Sequence, residues 1–296
     1  MQRKYAVSLG KNRILIGDYI SESLDFSSRQ AKKLLKDKKV CINGKTAYWD
    51  NKLKDGDLLE IDLSEESRKE ITAEDIELSI IYEDEHILAV NKPPFMLVHP
   101  TPNHPAGTLL NAAAHHFEEQ GAKIALRLLN RLDMNTSGIV VIPKSAAVHS
   151  KLDEMMKSGS VKKFYLAVIE GTIIPEKGVI GKPIGKDEAD SIRRKIRSDG
   201  QPAVTVYETL KGSKDHSLVR LELVTGRTHQ IRVHLSFLGH PIVGDTLYGK
   251  ASQLIGRQAL HASDMELPHP AGSGIIKLHA ELPDDIRTLV SMLELE

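Results

Sequence analysis

Asn130-Arg131-Leu132-Asp133-Met134-Asn135-Thr136-Ser137-Gly138 runs directly into Ile139-Val140-Val141-Ile142. The four branched apolar residues read as a strand, and Thr136, Ser137 and Gly138 have the composition of a tight turn. Asp133 is thereby placed in a loop at a strand edge, a position where a rigid sheet commonly presents reactive groups. The same residues also fit a plainer arrangement, in which Asp133 caps the turn and Arg131 makes a surface ion pair.

Two further stretches carry chemistry-bearing side chains. In Thr225-Gly226-Arg227-Thr228-His229-Gln230-Ile231-Arg232-Val233-His234-Leu235 the spacing predicts a helix over 228–238, with Gly239 at the position after its end. Ile231, Leu235 and Leu238 then share a core face, and Thr228 and Arg232 share another. Two arginines and two histidines so close together suit an anion or phosphate site; an amphipathic helix with a polar outer face is the other reading. His229 and His234 are five apart, no His-Glu-x-x-His occurs, and Cys41 is the single cysteine, so neither a zinc site nor an internal disulfide is expected. In Lys162-Lys163-Phe164-Tyr165-Leu166-Ala167-Val168-Ile169, strand alternation sets Tyr165 with Lys163 and Ala167, opposite Phe164, Leu166 and Val168. That predicts a Tyr165 turned away from the main core.

Around these stretches the chain divides. Residues 28–39 read as a short basic helix with Ser27 or Ser28 as N-cap, Ala31, Leu34 and Leu35 inward and the lysines in water. Val40-Cys41-Ile42, the Asn43-Gly44 turn signal and Lys45-Thr46 predict a hairpin, and Leu58 to Ile61 a strand. From Glu60 to Glu77 acidic residues outnumber Arg68 and Lys69, predicting a solvated linker. The expected division is a small domain over 1–68, a linker over 69–77 and a large domain over 78–296. In the latter, 79–82 and 86–90 suggest a hairpin. Residues 108–117 and 145–156 have helical spacing, and 164–169, 203–210 and 218–224 read as strands. With no βαβ alternation, the pattern favours an α+β fold with a largely antiparallel sheet.

The 296 residues carry forty basic and forty acidic side chains, which argues against a tail coating nucleic acid indiscriminately. No apolar run approaches a membrane span or a secretory signal. A cytoplasmic protein, monomeric by default, is the expectation.

Taken in order, the three stretches resemble the motifs of the RluA-type pseudouridine synthase family: His-Arg-Leu-Asp-x-x-Thr-Ser-Gly at 130–138, Lys-x-Tyr at 163–165 and Gly-Arg-Thr-His-Gln-Ile-Arg-x-His at 226–234. Asn91-Lys92-Pro93, Gly200-Gln201-Pro202-Ala203, Leu238-Gly239-His240-Pro241-Ile242-Val243-Gly244-Asp245-Thr246-Leu247-Tyr248-Gly249 and Leu260-His261-Ala262 extend the resemblance over nearly all of 78–290. It implies a pseudouridine synthase fold, a mixed but largely antiparallel sheet with flanking helices, and isomerisation of uridine in RNA. It also implies roles. Asp133 corresponds to the nucleophile, Tyr165 to the tyrosine that packs on the target ring and acts in late proton removal, and Arg232 to the basic partner of the aspartate. Arg131 corresponds to the arginine that enters the RNA stack, and Leu260 to an apolar base contact. Arg227, His229 and Asn130 are further candidates for RNA contact. Asn130 stands where the family usually has histidine, so it brings a hydrogen-bonding group without a protonic charge.

Residues 13–62 resemble the α-L RNA-binding domain of a ribosomal small-subunit protein, with Arg29, Lys32, Lys33 and Lys36 suited to phosphates. The partner implied is RNA, ribosomal rather than transfer RNA by preference, and the isomerisation needs no cofactor because no atoms or electrons are gained or lost. Two other readings are a non-catalytic RNA-binding or ribosome-assembly factor and an N-glycoside hydrolase. The hydrolase would need a second catalytic carboxylate.

Overall fold

The strand Ser137–Pro143 is buried at every position, and its side chains divide between two cores. Val140 and Ile142 point into the larger cluster and Ile139 and Val141 into a smaller one on the other face. A strand covered on both faces has no solvent side, which is why its sequence runs apolar without alternation. Each such side chain contributes about 1.5–3 kcal/mol relative to exposure.

This computed structural model describes residues 2–10, 13–24, 26, 28–62, 71–122, 124–190, 192–272 and 274–296. The chain forms two compact units, Met1–Glu70 and Ile71–Glu296. The first holds β1 (Gln2–Ala6), β2 (Ile14–Leu15), α1 (Ile16–Ser23), α2 (Ser28–Lys36), β3 (Val40–Ile42), β4 (Lys45–Thr46), β5 (Lys52–Leu53) and β6 (Leu58–Asp62). β1, β6, β3 and β4 form an antiparallel sheet in that order. The β3–β4 turn has Asn43 at φ 51° and Gly44 at φ 79°, the two left-handed residues of the expected type I′ hairpin. Its register is fixed by Asn43, whose side chain accepts from Leu58 N and donates to Asp57. Helix α2 is shorter than the expected 28–39. It stops at Lys36 because Lys38 turns left-handed at φ 55° and Lys39 N donates back to Leu34 O. Ser27 lies outside the described residues.

The second unit runs β7 (Ile80–Glu83), β8 (Ile87–Lys92), α3 (Leu109–Glu119), β9 (Ser137–Pro143), α4 (Ala146–Lys157), β10 (Lys162–Glu170), β11 (Lys177–Ile180), β12 (Ile184–Lys186), β13 (Arg194–Ile196), β14 (Thr205–Gly212), β15 (His216–Leu223), α5 (Gln230–Phe237), β16 (Leu260–Pro268), β17 (Ile275–His279) and α6 (Asp284–Met292). The main sheet follows the order β11-β14-β15-β10-β16-β9-β8-β7, with β17 on β16. Helices α3, α5 and α6 supply the larger core on one face, and α4 the smaller one on the other. The expected hairpin at 79–90 is β7–β8, closed by Asp84, which accepts from His86 N and Ile87 N.

The expected linker is partly built into this unit. From Ile71 the chain docks on α3: Asn111 donates to Thr72 O, Glu74 N donates to Asn111 O, and Glu74 accepts from Gly107 N. Residues 63–70 lie outside the described residues. The acidic composition hid this docking, because its hydrogen bonds come from backbone groups, Asn111 and the Glu74 carboxylate, with few apolar side chains such as Ile71 and Leu78 beside them.

β16 and β9 form the one parallel pair of the main sheet among the described residues, through His261–Ser137 and Ala262–Gly138. Gly138 sits at φ 115°, and a Cβ there would collide with the Ala262 backbone. Only glycine lets the two strands meet, immediately after the Asp133 loop. Gly138→Ala should therefore lower stability by about 2 kcal/mol or more, read as a shift in the urea unfolding midpoint.

Candidate active site

The Asp133 loop is held from several directions. Its own turn closes with Thr136 N donating to Asp133 O at 3.0 Å. The buried Lys92 donates to Pro93 O, Met96 O and Met134 O at 2.7, 2.9 and 3.1 Å, fastening the residue after the aspartate. Burial pushes the Lys92 amine down to about 7, while the Asp133 charge favours its protonated form. Arg257, 1% exposed, donates to Asn135 O and is clamped in turn by both oxygens of Asp285 on α6. Gln258 donates to Thr136 Oγ1 at 3.2 Å. Ser137 Oγ shares a hydrogen bond with His261 Nδ1 at 2.9 Å.

Opposite this loop stands Arg232 on α5. Its Nη1 donates to Asp133 Oδ2 at 2.9 Å, and its Nε and Nη2 form a two-point pair with Asp245 at 2.7 and 2.8 Å. Asp245 is fully buried and also accepts from Leu247 N and Tyr248 N. Burial opposes the charge of Arg232, but the bonds to Asp245 and Asp133 outweigh it and hold the guanidinium above its ordinary range. One edge of the guanidinium is thus fixed, and the free corner aims at the nucleophile candidate. The Tyr248 ring lies 5.1 Å from the same guanidinium carbon.

Tyr165 lies on the buried face of β10, against the expectation that it turns away from the core. It is 5% exposed and belongs to the larger cluster, while Phe164 faces outward beneath Arg220. The alternation holds from Lys162 to Ala167, and the face that strand logic assigned to solvent belongs to the larger core. The β10–β16 register shifts between Phe164 and Leu166, with one extra residue on β16 opposite the tyrosine. Burial and the Asp133 charge push its phenol above the ordinary tyrosine range.

Arg131, Asp133, Tyr165, Arg227, His229, Arg232 and Leu260 line one cleft of about 60 Å³. Arg131 is exposed at its rim, and Arg227 is steadied there by donating Nε–H to Pro202 O at 3.0 Å. Helix α5 begins at Gln230 rather than Thr228, because His229 is left-handed at φ 58°.

Asn130 is placed differently from expectation. Its Nδ2 donates to Ile139 O and its Oδ1 accepts from Val141 N. Both ends of the amide are thus engaged by the β9 backbone, and Asn130 is not among the residues lining the cleft. Lys32, Lys33 and Lys36 project into solvent from α2 of the first unit; Arg29 shares that helix, its side chain lying outside the described residues. Asp245, Lys92, Arg257 and Tyr248 were not assigned roles from sequence. Three of them sat inside recognised motifs, but a motif does not say which buried atom answers which. Arg257 had no such signal.

A carboxylate held by a clamped arginine beside a buried tyrosine, in a cleft rimmed by arginines, defines an enzyme whose site can attack or deprotonate a polar substrate. The sequence pattern of the family described as RNA pseudouridylate synthase matches residues 86–237. An RNA pseudouridine synthase of Bacillus subtilis, YjbO, is 42% identical over 250 residues, covering 84% of this chain and 88% of that protein. The ribosomal large subunit pseudouridine synthase D of Pseudomonas aeruginosa is 37% identical over 273 residues, covering 88% and 85%. Human RNA pseudouridylate synthase domain containing 4 superposes with a TM-score of 0.61 at 26% identity, covering 74% of this chain and 94% of that one. The chain belongs to the RNA pseudouridine synthase family, and its fold is the α+β fold of those enzymes.

Asp245→Asn should leave Arg232 buried with half its counter-charge gone. We expect a loss of about 3–5 kcal/mol in stability together with a fall in kcat, measured by denaturant titration and single-turnover assay on the same preparation.

Proposed function

We propose that Asp133 is the nucleophile of a pseudouridine synthase acting on large-subunit ribosomal RNA. The observation that supports it most directly is the single hydrogen bond from the clamped Arg232 to Asp133 Oδ2. A fixed positive partner orients the carboxylate, as nucleophilic catalysis requires. The reaction breaks the N1–C1′ bond of uridine, turns the uracil and joins C5 to C1′. A carboxylate serves this by attacking C1′, by adding to the ring, or by removing a ribose proton; all three routes begin from an ionised Asp133.

The target must leave its stack, at a cost of a few kcal/mol. Arg131, two residues from Asp133 at the cleft rim, is suited to fill the gap by stacking its guanidinium plane on the neighbouring bases. Arg232, Arg227, Tyr165 and Leu260 then face the flipped nucleotide. Asp245 is the carboxylate a hydrolase reading would enlist, but it is fully buried against Arg232 and two backbone amides, which disfavours that reading.

The ribosomal preference draws on relatives such as the Pseudomonas enzyme, whose name specifies the large ribosomal subunit; transfer RNA is the competing substrate. The first unit is read as an α-L-like RNA-binding domain, with Lys32, Lys33 and Lys36 tracking phosphates. A ribosomal RNA substrate fits a cytoplasmic location. A monomer suffices, since Asp133, Tyr165 and Arg232 come from one chain.

RNA labelled with tritium at uracil C5 tests the assignment. Wild-type protein should release label to water from large-subunit ribosomal RNA faster than from transfer RNA, and Asp133→Asn should lose more than about 10³-fold in rate while still binding RNA. Free uracil as product would indicate hydrolysis, and binding without release a non-catalytic factor. Separately, replacing Lys32, Lys33 and Lys36 together with alanine should weaken RNA binding and flatten its salt dependence by about 0.9 log unit per lost phosphate contact, measured by fluorescence anisotropy at several salt concentrations.

A further inference from the structure

A groove of about 490 Å³ in the first unit is lined by Lys32, Leu35, Lys36, Tyr48 and Trp49. That volume lies in the range of pockets that hold small organic molecules. The lysines stand out in the sequence as a basic helix; the two aromatic residues beside them do not.

Trp49 is the single tryptophan of the chain, and the fold gives up a side chain to hold it. A Cβ on Gly17 of α1 would stand 2.6 Å from each of Cζ2, Cη2 and Cζ3, three consecutive atoms of its six-membered ring. Glycine is a poor helix residue, yet it leaves room here for the indole to lie face-on against α1. The turn that carries the ring is tied down as well. Tyr48 N donates to Asn51 Oδ1 at 2.8 Å, and Asn51 N donates back to Tyr48 O at 3.0 Å. Ile16 N, at the start of α1, donates to Asn51 O at 2.9 Å.

Packing accounts for part of this, since Trp49 is half-buried against the core of the first unit. It does not account for Tyr48, which the same turn holds out at 53% exposure. Nor does it account for the charge. Lys32 Nζ stands 5.3 Å from the Trp49 ring centroid, and Lys36 lines the same groove. Among the described residues no carboxylate lines it; Asp37 and Asp50 are near in sequence but outside the lining. Two aromatic rings with two ammonium groups beside them suit a planar ring that carries negative charge at its edge.

We propose that this groove takes one unpaired nucleobase of the RNA, stacked against Trp49 and Tyr48, with the flanking phosphates on Lys32 and Lys36. The proposal deepens the reading of the first unit as an RNA-binding domain and rests on it. Lysines that track phosphates hold paired and unpaired RNA alike, because both present a charged backbone. A base reaches an aromatic side chain only where it has left its own stack. The groove therefore directs the first unit to loops, bulges and single-stranded ends. Every base has a π face, so the selection is for structure rather than for sequence. On binding, the Lys32 ammonium leaves the indole for the phosphate, and the base takes its place over the ring. Gly17 and Asn51 fix the indole beforehand, which leaves little ordering to oppose binding.

As the sole tryptophan, Trp49 reports on this groove by its fluorescence. The full-length protein is titrated with a single-stranded oligouridylate, with a blunt RNA duplex of the same length, and with inorganic polyphosphate. The single strand should quench Trp49 emission, and the duplex and polyphosphate should not do so comparably. Tyr48→Ala should move the quenching midpoint to about tenfold higher RNA concentration, while its affinity for polyphosphate, measured by calorimetry, stays that of wild type. Tyr48→Phe keeps the ring and should keep the midpoint. Trp49→Leu would disturb the packing on Gly17, so the tyrosine variants carry the test. An emission that the single strand leaves unchanged would overturn the proposal. So would equal quenching by duplex or polyphosphate, or a wild-type midpoint in Tyr48→Ala. The protein with Lys32, Lys33 and Lys36 all changed to alanine separates the two readings. If it loses affinity for RNA while the wild-type emission ignores the single strand, the stacking site alone fails. If it binds RNA as wild type does, the RNA-binding reading of the first unit fails with it.

Discussion

A single guanidinium divided between two carboxylates organises this molecule. Arg232 gives two of its donor groups to Asp245, which has no solvent exposure, and a third to Asp133, which is half-buried. An isolated charge at this depth would cost several kcal/mol, so each partner is affordable only because the others are present. The asymmetry matters chemically. Asp245 is saturated by Arg232 and two backbone amides and can do nothing else, whereas Asp133 retains an oxygen free of that clamp. Two carboxylates on one arginine are thereby separated into one that is saturated and one that keeps an open oxygen.

A second layer supports this arrangement from behind. Lys92, Arg257, Gln258 and His261 bind successive residues of the Asp133 loop by backbone or hydroxyl contacts, leaving the loop little freedom to shift. Rigid support of this kind distinguishes a positioned carboxylate from a surface aspartate with the same neighbours. The buried Asn135 Oδ1 has no hydrogen-bond partner among the described residues, and we have no physical account of it.

Much of this was legible in the sequence, though unevenly. The Asn43-Gly44 turn, the β7–β8 hairpin and the helices opening at Thr108 and Ser145 follow from local rules, and each is where those rules put it. Asp133, Tyr165 and Arg232 were found as motif members, but their own neighbourhoods supported only a capped turn, an ordinary strand and an amphipathic helix. What sequence could not show is tertiary. Tyr165 was assigned to the wrong environment because alternation gives the face of a strand without saying what covers it. Asn130 looked like an RNA contact because position along the chain does not reveal that its amide completes a strand. Asp245 was visible only as a member of the 238–249 stretch, since its pairing depends on a helix residue thirteen positions earlier.

The connections that hold the Asp133 loop are long in sequence. Arg232 reaches it across 99 residues, Arg257 across 122 and His261 across 124, and Arg257 is itself set by Asp285. During synthesis the sheet strands up to β10 emerge long before these partners exist. The supports of the Asp133 loop are therefore complete only once α6 has been made. A chain that stops before Asp285 holds Asp133, Arg232 and Arg257, yet lacks the carboxylate that sets Arg257 behind the loop.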